Sequence, residues 1–352
     1  MDKLLHRVRG KVERGERIST ADCRGLFDLY NLNDFSKLAR VVRERRYGKD
    51  TLYRAAEVFE YRGEAPDLFF SEMETVAAPD TPELVLRLIW SKGVSADVWL
   101  EQCRAFTNTS RRVTVELDAL FMAEMNEAGE KKTDEFLTAL KALLPVWISG
   151  NRAELFDDTW RAAFSADAVS SERWLAVHQN AHELGMKTGA SMLYHSNWNP
   201  DLYVAHLDML RSLQDKTGGF ISFVPVGFHD SSPDARYLAT PSGGTTLKMT
   251  AISRLFLDNI PHIVTAPGLG DPEISWAALS YGADTVDALI RPGDRINTDL
   301  TAGNELMVLS DGGGKKQDRL TLGQIEDRIY EAQWNPIAIN SNFERLLIEE
   351  IS

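Results

Sequence analysis

The stretch from Asn180 to Phe228 constrains the architecture more than any other. Two runs rich in apolar residues, Lys187–Leu193 and Phe220–Val226, have strand length and suit burial on both faces. Between them Leu202, Leu207, Leu210 and Leu213 recur near helical spacing, and Gly218-Gly219 provide a stop. Strand, helix and strand in so short a span make a βαβ unit, which demands parallel pairing and a right-handed crossover.

The same alternation runs through most of the chain. Further strands are predicted at Thr51–Tyr61, Leu84–Ile89, Arg112–Leu117, Leu144–Ile148, Pro261–Thr265 and Thr285–Leu289, with helical segments between most of them. Eight strands of this kind fit an α/β fold of the TIM-like (β/α) barrel type. A doubly wound open sheet ranks second, because no GxGxxG follows any strand. Residues 1–50 read as helices that cover a barrel end, with Ser19 and Thr20 as cap residues. Residues 51–352 then form the barrel and a C-terminal extension, making a single domain overall. Asp311–Lys316, DGGGKK, lacks the spacing and the Ser/Thr of a phosphate-binding loop and reads as a turn.

The net charge of −13 argues against nucleic acid or an anionic membrane as a partner, because both repel an acidic surface. No apolar run approaches the ~20 residues that a membrane helix needs. Two cysteines, Cys23 and Cys103, point to a reducing compartment and a cytoplasmic protein.

Several segments carry a family resemblance: AHELGMKTGASMLYH, HLDMLRSLQDKTGGFISFVPVGFH and RLFLDNIPHI. With ERISTADCRGLFDL near the start and TLGQIEDRIYEAQWNP near the end, nearly the whole chain resembles the menaquinone-pathway branch of the radical SAM superfamily. That branch comprises aminofutalosine synthase, dehypoxanthine futalosine cyclase and the related FO synthase. The resemblance implies a radical-SAM-type barrel with N-terminal and C-terminal helical extensions. It also implies three cysteine thiolates after the first strand, as CxxxCxxC, holding a four-iron cluster that binds S-adenosylmethionine; soft sulfur ligands hold such clusters. Two cysteines in helical segments cannot supply three ligands. The expectation is therefore no cofactor, no 4Fe–4S cluster and no metal, with S-adenosylmethionine disfavoured. Where the family has a glycine-rich turn before Ala-Glu, this chain has Ser149-Gly150-Asn151-Arg152 ahead of Ala153-Glu154. Arg152 is expected to face a carboxylate, Glu116 or Glu154. Tyr61, Leu68, Phe69, Phe70 and Trp147 are, with Arg152, the residues able to fill the mouth.

Four residues are candidate catalytic groups. Glu116 at a strand end and Glu154 could each act as a general base or hold a ribose, and ion pairing explains them equally well. His195 and His229 follow strands at the end where barrel sites form. His178 and His182 stand four apart, as in a zinc-binding HExxH, but Gln179 replaces the Glu and they read as surface or interface histidines. The functional expectation is a non-catalytic homologue, a subunit or regulator in a heteromer with an active radical SAM paralogue of the futalosine route. The alternative is an enzyme of that route acting on a nucleoside-like small molecule at the barrel mouth.

Overall fold

The computed structural model describes residues 2–347 except 64, 80, 92, 128–129, 160, 162–168, 196–198, 229–239 and 291–319. The DGGGKK segment lies outside the described residues. Three helices open the chain: α1 (Asp2–Arg14), α2 (Thr20–Leu26) and α3 (Leu32–Tyr47). Ser19 starts α2 with a capping box, its hydroxyl taking the Asp22 amide and the Asp22 carboxylate returning to the Ser19 amide.

The barrel strands follow: β1 (Asp50–Tyr61), β2 (Leu84–Leu88), β3 (Val113–Leu117), β4 (Val146–Ile148), β5 (Thr188–Tyr194), β6 (Phe220–Gly227), β7 (His262–Thr265) and β8 (Thr285–Ile290). All pair in parallel, each with the next in sequence, and β1 closes the ring against both β2 and β8. The result is a closed barrel of eight strands wrapped by helices. The covering helices among the described residues are α4 (Pro66–Val76), α5 (Ala96–Ala105), α6 (Ala119–Glu127), α7 (Glu130–Leu143), α8 (Ser171–Glu183), α9 (Pro200–Thr217), α10 (Gly243–Phe256) and α11 (Pro272–Ala277). The stretch that set the architecture behaves as its composition dictates. Asn199 caps α9, Pro200 occupies its first turn, and Gly218 ends it with φ of 63°.

The N-terminal helices pack along α9 and α10, and the end of α3 reaches the starts of β1, β7 and β8 through Arg43 and Tyr47. Arg17 bridges Asp215 and Asp258 at 2.6 and 2.9 Å, and the buried Arg43 donates to the carbonyl of Ala283. The N-terminal end of the barrel is filled by the C-terminal segment. After α12 (Leu322–Glu331), a ninth strand, β9 (Asn335–Ala338), pairs with Asp50–Tyr53 of β1. Beyond it the Ser341 amide and hydroxyl donate to Glu83 at 2.9 and 2.8 Å, and Phe343 packs on Trp147 and His262.

The main apolar core lies between strands and helices, where Leu84, Leu86, Val113, Val115 and Ile148 meet Trp99, Phe121 and Leu140. A small apolar cluster, Ala56, Val58 and Val85, faces the lumen.

Candidate functional site

Strand parity sends alternate residues inward, and the inward set here includes charged residues. On β1 and β8, Arg54 makes a paired contact with Asp287, Nε to Oδ1 at 3.0 Å and Nη2 to Oδ2 at 2.5 Å. On β2 and β3, which set Arg87 opposite Glu116, the Arg87 Nε donates to Glu116 at 3.0 Å. Asn151 adds a 3.3 Å hydrogen bond to the same carboxylate oxygen. Glu116 is only 2% exposed, and a buried carboxylate of this kind needs such a partner. Glu83 takes the Thr114 hydroxyl at 2.6 Å besides Ser341, yet burial still pushes its pKa up.

The turn after β4 carries backbone strain. Arg152 and Glu154 have φ of 65° and 38°, a region that glycine enters freely and side-chain-bearing residues enter at a cost. Arg152 faces a carboxylate, as expected, and the ion pair it makes at 3.2 Å is with Asp118, while its charge also acts on Glu154. Asp118 also caps the start of α6 through the Phe121 amide. Glu154 comes within 3.1 Å of Arg161 without a well-aligned hydrogen bond, and burial raises its pKa against the pull of Arg161 and Arg152. Arg161 is tied in turn to the carbonyls of Ala153 and Val169.

Glu116 and Glu154 are thus both held by arginines, on β3 and on the turn after β4. His195 follows β5, 8% exposed; its amide donates to the Tyr203 hydroxyl at 3.2 Å, and burial lowers its imidazole pKa. His229 lies outside the described residues. Of the residues expected to fill the mouth, Tyr61, Phe69 and Phe70 belong to an aromatic cluster with Phe106, and Tyr61 also packs edge-on to Trp99. Leu68 is exposed, and Trp147 packs on Phe343.

The histidine pair is buried rather than superficial. The Thr188 hydroxyl meets His178 Nδ1 at 2.9 Å and His182 Nε2 at 2.8 Å, so two rings share one partner. A Cβ on Gly219 would fall 2.0 Å from the His182 ring, which explains a second glycine after the one that ends α9. Among the described residues no group of three His, Cys, Asp or Glu could hold a metal ion.

A cleft opens between β6 and β7, and the sequence reading did not locate it. The ladder joining them pairs only Ser222 with His262 and Phe223 with Ile263. Pro225, two residues on, has no N–H to extend it. The separated strands bound a cavity of about 280 Å³, walled also by α10 and α11 and reaching Tyr194. A proline inside an otherwise apolar strand was the available signal.

A closed parallel barrel with a polar lumen defines the class: a TIM-like α/β barrel with its candidate groups at the C-terminal strand ends. A crystal structure of HydG, a maturase of the [FeFe]-hydrogenase, superposes with a TM-score of 0.71 over 96% of this chain and 76% of that one, at 14% identity, a likeness of fold alone. No family model matches the sequence. Among curated relatives, aminodeoxyfutalosine synthase of Thermus thermophilus is 30% identical over 321 residues, 82% of this chain and 85% of that protein. Cyclic dehypoxanthine futalosine synthase of Streptomyces coelicolor is 30% identical over 57% of this chain and 47% of its own length. The chain therefore belongs to the radical SAM family that contains these futalosine enzymes.

Membership corrects one expectation. The family is one of 4Fe–4S cluster and S-adenosylmethionine enzymes, so the relatives imply those cofactors and overturn the expectation of none. The thiols of this chain do not themselves fit a three-thiolate site. Cys23 and Cys103 are fully buried, in α2 and α5. Burial pushes the Cys103 thiol up to about 12 and the Cys23 thiol further, so both stay protonated at neutral pH.

Proposed function

We propose that this barrel serves futalosine-type chemistry as a cytoplasmic subunit or regulator of an active paralogue in menaquinone biosynthesis, with the paralogue carrying the reaction. One observation supports the reading above others. Among the described residues, three acids near the C-terminal strand ends are each engaged by an arginine: Glu116 by Arg87, Asp118 by Arg152 and Glu154 by Arg161. A general base needs a carboxylate that can take a proton from substrate, and a strong guanidinium contact opposes that. The chain at native abundance, isolated from its host under anaerobic conditions, is expected to bring down a family paralogue in stoichiometric amount and to change its turnover. A chain recovered alone, with no effect on any paralogue's rate, would sink the proposal.

The β6–β7 cleft favours a second reading, an enzyme acting on a nucleoside-like molecule at the barrel mouth. Glu116, Glu154, His195 and His229 are then the candidate groups. Turnover by the isolated chain that falls at least tenfold in Glu154→Gln would support it over the subunit reading.

A further inference from the structure

We infer that the cleft between β6 and β7 is a binding site for a small uncharged molecule bearing hydroxyl groups. The inference rests on the cavity alone and holds under either reading of function. The space, about 280 Å³, far exceeds the ~10–15 Å³ that one ordered water needs. At its inner wall stands Tyr194, whose side chain is fully buried. Its hydroxyl is approached by Thr246 but makes no hydrogen bond of ordinary geometry. A buried hydroxyl without a partner is costly, and a ligand oxygen in the cleft would supply one. Burial raises the Tyr194 pKa, so the phenol keeps its proton and can donate it.

The remaining wall specifies the ligand's chemistry. Thr246 and Thr250 already give their hydroxyl protons to the carbonyls of Ser242 and Thr246, so towards the cleft they are acceptors. Among the described residues no lysine, arginine or histidine lines the space, and the one carboxylate there is Asp271. Oδ1 of Asp271 is taken by the Glu273 and Ile274 amides, but its negative charge remains in the wall. An anionic ligand would meet that charge with no cation among the described lining residues to offset it. A neutral polyol or pentose offers acceptors to Tyr194 and donors to the threonines and Asp271. Val224, Val264 and Ile274 give its carbon skeleton an apolar surface.

Saturation-transfer NMR on the full chain tests this with methyl β-D-xyloside as the neutral probe, and benzoate and inorganic phosphate as anionic ones. The xyloside is expected to show saturable transfer that neither anion displaces. Tyr194→Phe, which removes one oxygen, should weaken it about fivefold, the scale of one neutral hydrogen bond. Ile274→Trp, which fills the cleft from its rim, should abolish the signal while the circular dichroism melt stays in place. Absence of transfer from the xyloside, preference for either anion, or a signal unchanged in both variants would each overturn the inference; if Tyr194→Phe does not fold, Ile274→Trp decides alone.

Discussion

Glu116 is nearly dry, and its carboxylate meets the Arg87 guanidinium from the neighbouring strand. Removing that partner leaves an uncompensated buried charge, which costs more than the pair contributes. Arg87→Met is therefore expected to lose about 3–5 kcal/mol in urea unfolding. Arg87→Met combined with Glu116→Gln should recover more than half of that loss; equal losses in the single and double variants would show that packing and not charge is at stake. His206 poses the converse case, a group held neutral. It accepts the Phe156 amide on Nδ1 at 3.1 Å and donates from Nε2 to the Ser191 carbonyl at 2.9 Å, so the ring has no site for a second proton. Burial lowers its pKa to about 3 and that of His182 to about 4, from an ordinary 6.5. A depressed histidine contributes stability that is fully present above pH 6.5. That stability is lost as pH falls towards 4, because the unfolded chain takes up protons that the folded one refuses. Glu83 and Glu154, both raised, subtract from this slope just above pH 4.5. His206→Phe should cut proton uptake on unfolding at pH 5 by about one, read as a shallower dependence of unfolding free energy on pH. An unchanged slope would mean that the ring is protonated in the fold.

At the scale of elements, the barrel strands were legible where an apolar run marks them, as in β6 and β7, and less so in β1, which carries Arg54, Glu57 and Glu60. β9 was not legible. It is four residues long, begins Asn335-Pro336, and pairs only with β1, so it has neither run nor alternation to show. The charged lumen was half legible: Glu116 stood out at a strand end, but its partner could not be known without the register that sets Arg87 opposite it. His178 and His182 misled because spacing says nothing about depth; the Thr188 hydroxyl that contacts both arrives from a strand after their helix. The end of α12 offers a local test. Gln333 follows the helix with φ of 65°, the place where glycine is normally found. Gln333→Gly is expected to stabilise the protein by about 0.5–1 kcal/mol, seen as a higher urea midpoint at constant slope. A lower midpoint would mean that the glutamine side chain contributes more than its backbone strain costs.

On the scale of the whole molecule, β1 is where distant parts of the chain converge. Leu52 and Tyr53 lie between β8 and β9, and Glu57 lies between β8 and β2. The Leu52 amide donates to the carbonyl of Asp284, 232 residues away, whereas the Thr188 amide reaches Gly219 across only 31. Contacts of such separation carry a larger loop-closure cost and form late. In refolding followed by pulsed hydrogen exchange, the Thr188 amide is expected to gain protection before that of Leu52; simultaneous protection would show that the ring closes in one step. The same separation bears on synthesis. A ribosome makes the chain from the first strand onward, so β1 leaves the exit tunnel long before the strand it must lie against exists. Through most of translation its ladder is open on that side, and a nascent chain of this protein is a natural client for whatever shields an unpaired strand.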